Sequence, residues 1–159
     1  MAYRADGQVQ KAVKLLEAVV KAEEMLAADH PSRLASQHEL ARAYQDDGQV
    51  QKAVELLEQV VEVGEKTLSP EHPDQLASQH ALAMAYDANG QTQKGLDLLE
   101  LVVAVEAECL RDDHPSRHIS VEALADMSAK LAVVSDEGPS SASVGSSMMA
   151  ALADLDVQV

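Results

Sequence analysis

The sequence predicts an all-α fold, an α-solenoid of antiparallel helix pairs, on three observations. The chain repeats itself: DGQVQKAVKLLEAVV at Asp6–Val20 returns as DGQVQKAVELLEQVV at Asp47–Val61 and, more loosely, as NGQTQKGLDLLELVV at Asn89–Val103. A second block, His30–Tyr44, returns at His72–Tyr86 and begins again at His114. A fixed period of this size marks stacked supersecondary units that bury a continuous core between neighbours. Each period also holds one Asp-Gly or Asn-Gly and one His-Pro, so a helix is interrupted twice per repeat. Finally, with three Tyr, no Phe and no Trp, the core must be built from Leu, Val and Ala. That set suits helices packed closely rather than a β-sandwich, which favours β-branched and aromatic residues.

The elements follow in order. Residues 1–28 read as an incomplete first unit, in which 1–6 are the tail of a helix and a full helix spans about Gln8–Ala27. Residues 31–69 form the second unit and 73–111 the third. In the third, Pro73 sits where a fixed φ suits the first turn of a helix. Leu76, Ala77, His80, Leu82, Ala83 and Tyr86 then recur at three- and four-residue spacing. Asn89-Gly90 ends that helix, glycine taking the left-handed conformation at little cost. The next opens at Gln91 and runs to about Leu110, with Leu98, Leu99, Val102, Val103 and Val105 as its apolar face. Residues 115–130 are a degenerate last helix that loses register near Ser128, where a tyrosine is expected. Residues 131–159, containing SDEGPSSASVGSS, read as a low-complexity, disordered tail.

The period is 42 residues for His30, His72 and His114 and for Tyr44 and Tyr86, but 41 between Tyr3 and Tyr44. This reading assigns the one-residue slip to the linker Leu26–Pro31, because surface loops tolerate indels cheaply. Forty-two residues are also six heptads. A continuous coiled coil is excluded because it would absorb a glycine and a proline in each period, costing about 1 and about 3 kcal/mol.

Charge and composition narrow the function. With 27 acidic and 12 basic residues, the net charge of -15 repels phosphate backbones and anionic headgroups. Neither nucleic acid nor membrane is therefore an expected partner. No apolar run reaches the roughly 18 residues that span a bilayer. The start has no charged segment followed by an apolar one, so a cytoplasmic location is expected. Cys109 has no partner for a disulfide or a zinc pair and reads as a small buried hydrophobe.

Leu40, Ala41, Tyr44, Gly48, Ala53 and Leu57, and then Leu82, Ala83, Tyr86, Gly90, Gly95 and Leu99, resemble the tetratricopeptide repeat. The resemblance is to its long form in kinesin light chains and in the repeat tails of fungal NACHT- and NB-ARC-type signalling NTPases, and it covers about residues 1–127. The HPSRLASQH phrase looks most like the fungal tails. Gly95 departs from the usual alanine and should weaken its helix slightly. The resemblance implies tight helix contacts at residues 41, 53 and 83 and a groove lined by the first helix of each pair. By position, the groove candidates are His38, Arg42, Gln45, His80, Met84, Asp87, Glu122 and Asp126. The family's clamp for a chaperone C-terminus needs several Lys, Arg and Asn, and only Arg42 is present. Its basic groove for tryptophan-acidic cargo peptides is likewise mostly missing. The expected partner is thus a neutral or basic protein or peptide, extended or helical.

No chemistry is expected. Histidines a full period apart cannot converge within about 2 Å of one ion, so those before each proline should instead close the helix junctions by hydrogen bonding. Gly90–Gly95 imitates a phosphate loop but lacks the Lys-Ser/Thr ending and the preceding strand. No catalytic motif stands out, so neither a cofactor nor an enzymatic activity is expected. The reading is a non-enzymatic protein-interaction module. The alternative is a ligand-sensing or self-association tail of a signalling NTPase whose nucleotide-binding domain lies elsewhere. The uncapped array ends imply either a fragment of a longer array or ends covered by self-association.

Overall fold

The computed structural model describes residues 2–136; most of the expected tail, 137–159, lies outside the described residues. Among the described residues six α-helices follow one another: α1 (Ala2–Ala22), α2 (Pro31–Asp46), α3 (Val50–Thr67), α4 (Pro73–Ala88), α5 (Thr92–Cys109) and α6 (Pro115–Asp136). The described residues contain no strand. From α1 to α5 each helix packs antiparallel on the next, and α2 also touches α4. This is the α-solenoid that the repeat pattern predicts. The chain divides into two compact units at Met127 and Ser128. Of the second, Ser128–Asp136 continues α6, so helix persists past Lys130 and past the register break at Ser128.

The turns are built identically in successive repeats. Gly48 and Gly90 hold φ of 77° and 78°, a region that side-chain-bearing residues avoid. Behind them the N–H of Gln49 donates to the Tyr44 carbonyl and that of Gln91 to the Tyr86 carbonyl, each at 2.8 Å. Those bonds satisfy carbonyls that the helix end would otherwise leave open. At the other junction, Nδ1 of His30, His72 and His114 accepts from the N–H of Ser32, Asp74 and Ser116, each at 3.2 Å. The linker histidines are thus helix caps, and each is followed by a proline whose missing N–H costs nothing at that position.

Two expectations fail at the start of the chain. Residues 1–6 are not a separate helix tail: α1 runs unbroken through Asp6-Gly7. The same Asp-Gly is a turn at Gly48, yet Gly7 shows no positive φ. The dipeptide permits a reversal, and packing of the helices on either side makes it. The period slip, moreover, is not in the linker, because Leu26–Pro31 and Leu68–Pro73 have equal length. It falls at the end of α1, where Glu23–Met25 form a 3-10 turn. A 3-10 turn rises further per residue, which lets one residue fewer reach the same linker.

Small residues set how near the helices come. Ala41, Ala53, Ala83 and Ala85 are fully buried, and Leu57, Leu99 and Val102 fill the space beside them. Tyr44 and Tyr86 act as struts: their hydroxyls donate to Glu17 at 2.7 Å and Glu58 at 2.6 Å. Burial, then the carboxylate bond, pushes both phenols up to about 12. Lys52 and Lys94 lie 5.3 and 5.6 Å from the centres of the two rings. In the third copy the pattern changes in a compensated way. Met127 stands where the earlier copies have Ala43 and Ala85, and Gly95 where they have Ala53. Met127 is 1% exposed. A Cβ on Gly95 would lie 2.6 Å from the Ala83 carbonyl oxygen and 3.3 Å from the Met127 sulfur. Gly95 is therefore not simply a weak spot in α5, because it lets α5 touch the backbone of α4.

Helix propensity alone would make Gly95→Ala stabilising by about 1 kcal/mol. The contact with the Ala83 carbonyl reverses the sign. The variant should lose about 1–3 kcal/mol in urea unfolding, the usual cost of overpacking a tight core.

Candidate functional site

The first helix of each pair, α2, α4 and α6, carries the expected groove residues. Two recesses open between these helices, one repeat apart. The first, about 370 Å³, lies between α2 and α4 over the end of α3, and is lined by Leu34, Ala35, His38, Gly64, Ala77 and Ser78 among others. The second, about 390 Å³, lies between α4 and α6 over the end of α5. It is lined by the counterparts Leu76, Ala77, His80, Glu106, Ile119 and Ser120. Most of the lining is apolar in both. Ala77, expected on the buried stripe of α4, is exposed and shared by the two.

One polar pair marks each step. His38 Nδ1 lies 3.5 Å from Ser78 Oγ, and His80 Nδ1 lies 3.4 Å from Ser120 Oγ. Both serines are buried and both histidines half-buried. Burial lowers the pKa of His80 below its usual 6.5, and the neighbouring Glu106 carboxyl partly offsets this.

The other candidates are placed differently. Arg42, Met84, Glu122 and Asp126 are exposed on α2, α4 and α6. They line neither recess. Asp87 accepts from the Thr92 hydroxyl at 2.9 Å, which ties it to the α4–α5 turn. Gln45 is half-buried near the preceding turn, where its carbonyl accepts from the Gly48 N–H. The recesses thus bring together His38 and His80 from the expected set.

The floor of each recess comes from the second helix of a pair, a contribution that sequence reasoning missed. In the first it is Gly64, against which the Gln75 side chain packs so closely that a Cβ would overlap its amide. Gln75 is 2% exposed and donates to the Val61 carbonyl at 3.3 Å. In the second it is Glu106, 4% exposed. A signal for Glu106 was present: Gly95, Leu99, Val102 and Glu106 sit at spacings of four, three and four on the buried stripe of α5. Cys109, expected to be buried, is exposed at the end of the same helix.

Because the imidazole of His80 has a lower pKa folded than unfolded, the unfolded chain takes the proton first. Its contribution is whole above the unfolded value of 6.5 and is lost as pH falls through the folded one. Urea midpoints should therefore drop between about pH 7.5 and about pH 5.5. His80→Gln should reduce that drop relative to wild type.

No described helix is long and apolar enough to cross a membrane. A model of the tetratricopeptide repeat matches residues 1–66 and 32–105. The chain matches none of the curated proteins. Among solved structures it is similar to nearly identical TPR-like repeats of a Podospora anserina protein assigned as a kinesin light chain. The identity is 63%, over 79% of this chain and 60% of that one, with a TM-score of 0.68. A methionine-substituted variant of those repeats gives 62% identity over the same shares, with a TM-score of 0.70. The chain thus spans about three-fifths of the length of these solved relatives. Repeats of this kind generally mediate contacts between proteins. With the period, the helix pairs and the turn glycines in agreement, the chain belongs to the tetratricopeptide repeat family.

Proposed function

We propose that this chain is a non-enzymatic, cytoplasmic interaction module that binds a neutral or basic peptide across the concave face of α2, α4 and α6. The observation that carries this reading is the pair of equivalent recesses spaced one repeat apart on that face. Apolar lining supplies the driving force for burying alternate side chains of a ligand, and the His–Ser pairs supply polar register points. The net charge of -15 speeds the encounter with cations and rejects acidic segments.

The test compares three labelled peptides of one length, acidic, neutral and basic, by fluorescence anisotropy. NMR shifts on the protein then locate the winner. The neutral or basic peptide should bind best and perturb His38, Ala77, Ser78 and Ser120. Arg42→Glu should tighten the basic peptide severalfold while changing stability by less than about 0.5 kcal/mol. Tightest binding by the acidic peptide, or shifts confined to α1, α3 and the outer face of α5, would sink the reading.

A second reading, self-association, is favoured by α1, where Leu15 is 68% and Val19 37% exposed. At the position in α3 that matches Val19, Val60 is 4% exposed. We propose that a further helix, from a second copy, covers this side of α1. Sedimentation velocity at tens of micromolar should show a dimer that Leu15→Glu dissolves, whereas a monomeric wild type removes this reading.

A further inference from the structure

The two recesses differ at several lining positions, Glu39 against Ala81, Asp74 against Ser116 and Ala77 against Ile119, and at the floor the difference is a buried charge. The floor residue is Gly64 in the α2–α4 recess and Glu106 in the α4–α6 recess. Glu106 is 4% exposed, and its Oε2 is buried with no hydrogen-bond partner. A carboxyl oxygen held away from water without a partner is costly, which makes it rare unless something else satisfies it. The cation nearby in sequence on α6 is engaged elsewhere: Arg117 Nη1 donates to the Leu110 carbonyl at 3.0 Å and to Asp112 at 2.6 Å. His80 is held toward its neutral form by burial. Glu23, at the end of α1, also leaves Oε2 unpartnered, but it lines neither recess.

We infer that the α4–α6 recess is a specificity pocket for one cationic side chain, lysine or arginine, of a bound peptide, with Glu106 as its counter-charge. This deepens the proposed peptide-binding function and rests on it. The lining matches such a side chain along its length. Leu76, Ala81, Leu110 and Ile119 face an aliphatic stem, and Glu106 receives the charged end. Ile119 is 57% exposed at the mouth, where ligand burial would cover it. The α2–α4 recess offers no buried counter-charge, because the amide of Gln75 closes over Gly64 and its carboxylates, Asp29, Glu39 and Asp74, are all exposed to water. The pocket therefore fixes where along the groove a basic residue sits.

The experiment uses the full 159-residue chain, immobilised, and four pools of randomised nonapeptides whose central residue is lysine, arginine, norleucine or glutamate. Wild type should retain the lysine or arginine pool about tenfold or more above the norleucine pool, the size of a hydrogen bond to a charged group. Glu106→Gln should bring that ratio near one and melt at the same temperature or higher, since the buried charge is gone. Ile119→Lys, at an exposed position, should block the pocket with its own cation and lower retention of the basic pools. A preference for cations that survives Glu106→Gln would overturn the inference, as general attraction to the acidic surface would then explain it. A lower melting temperature for Glu106→Gln would also overturn it, because the carboxylate would then have an internal partner. Equal retention of the lysine, arginine and norleucine pools at the groove removes the pocket but leaves peptide binding standing. Retention of none removes both.

Discussion

Contact between helix backbones sets the geometry on which everything else rests. At Ala41, Ala53, Ala83 and Gly95 no side chain larger than a methyl group stands between paired helices, and at Gly95 not even that fits. Close approach turns these helices into a stack with a fixed step, since a change of one methylene in a packed core is felt by its neighbours. The exchange at Gly95 and Met127 shows the constraint at work. The third copy places a long side chain where the earlier copies have alanine, and the facing helix gives up a methyl group. The volume is redistributed and the step is kept.

A fixed step explains why polar features recur with the apolar ones. The histidine caps have one bond length in three linkers, and the Tyr–Glu struts differ by 0.1 Å between two repeats. The His–Ser pairs at the recesses differ by the same amount. Each of these bonds is modest alone, at about 1 kcal/mol net for the neutral pairs and about 1.5–3 kcal/mol for the bonds to carboxylate. Their regularity comes from the alanine contacts, and in return they hold the turns and helix ends in the conformation that the contacts need.

Much of this was legible in the sequence because it is local or periodic. Asn89-Gly90 and the His-Pro junctions place helix ends within about a residue, since turn chemistry depends on the residues themselves. The repeat at Leu40, Ala41, Tyr44 and Leu57 fixes the core stripe. What was not legible depends on which helix lies alongside. Asp6-Gly7 has the same letters as Asp47-Gly48, and only the second has helices packed on both sides to make it turn. Gly95 reads as a propensity penalty until the Ala83 carbonyl is seen beside it. Repeat position points to the first helix of each pair as the groove lining, and nothing local to Gly64 or Glu106 marks the second helix as its floor. Glu106 stands out only when its place on the buried stripe is compared with Gly64.

That comparison bears on how an array of similar repeats can recognise anything in particular. If every repeat offered the same recess, a ligand could shift by one step at no cost, and its register would be undefined. Specificity needs a difference in free energy between registers, which only a departure from the repeat can supply. In the α2–α4 and α4–α6 recesses the His–Ser pairs and the wall positions Leu34/Leu76, Ala35/Ala77 and Leu68/Leu110 are shared, so these do not separate the two placements. The floors are not shared: a glycine under a satisfied amide in one, a buried carboxyl with an open oxygen in the other. On the proposed function, the same departure that disturbs the internal accounting of polar groups would be the one that gives the groove a direction. An array that tolerated no such irregularity would be better satisfied internally and would read its partners less well.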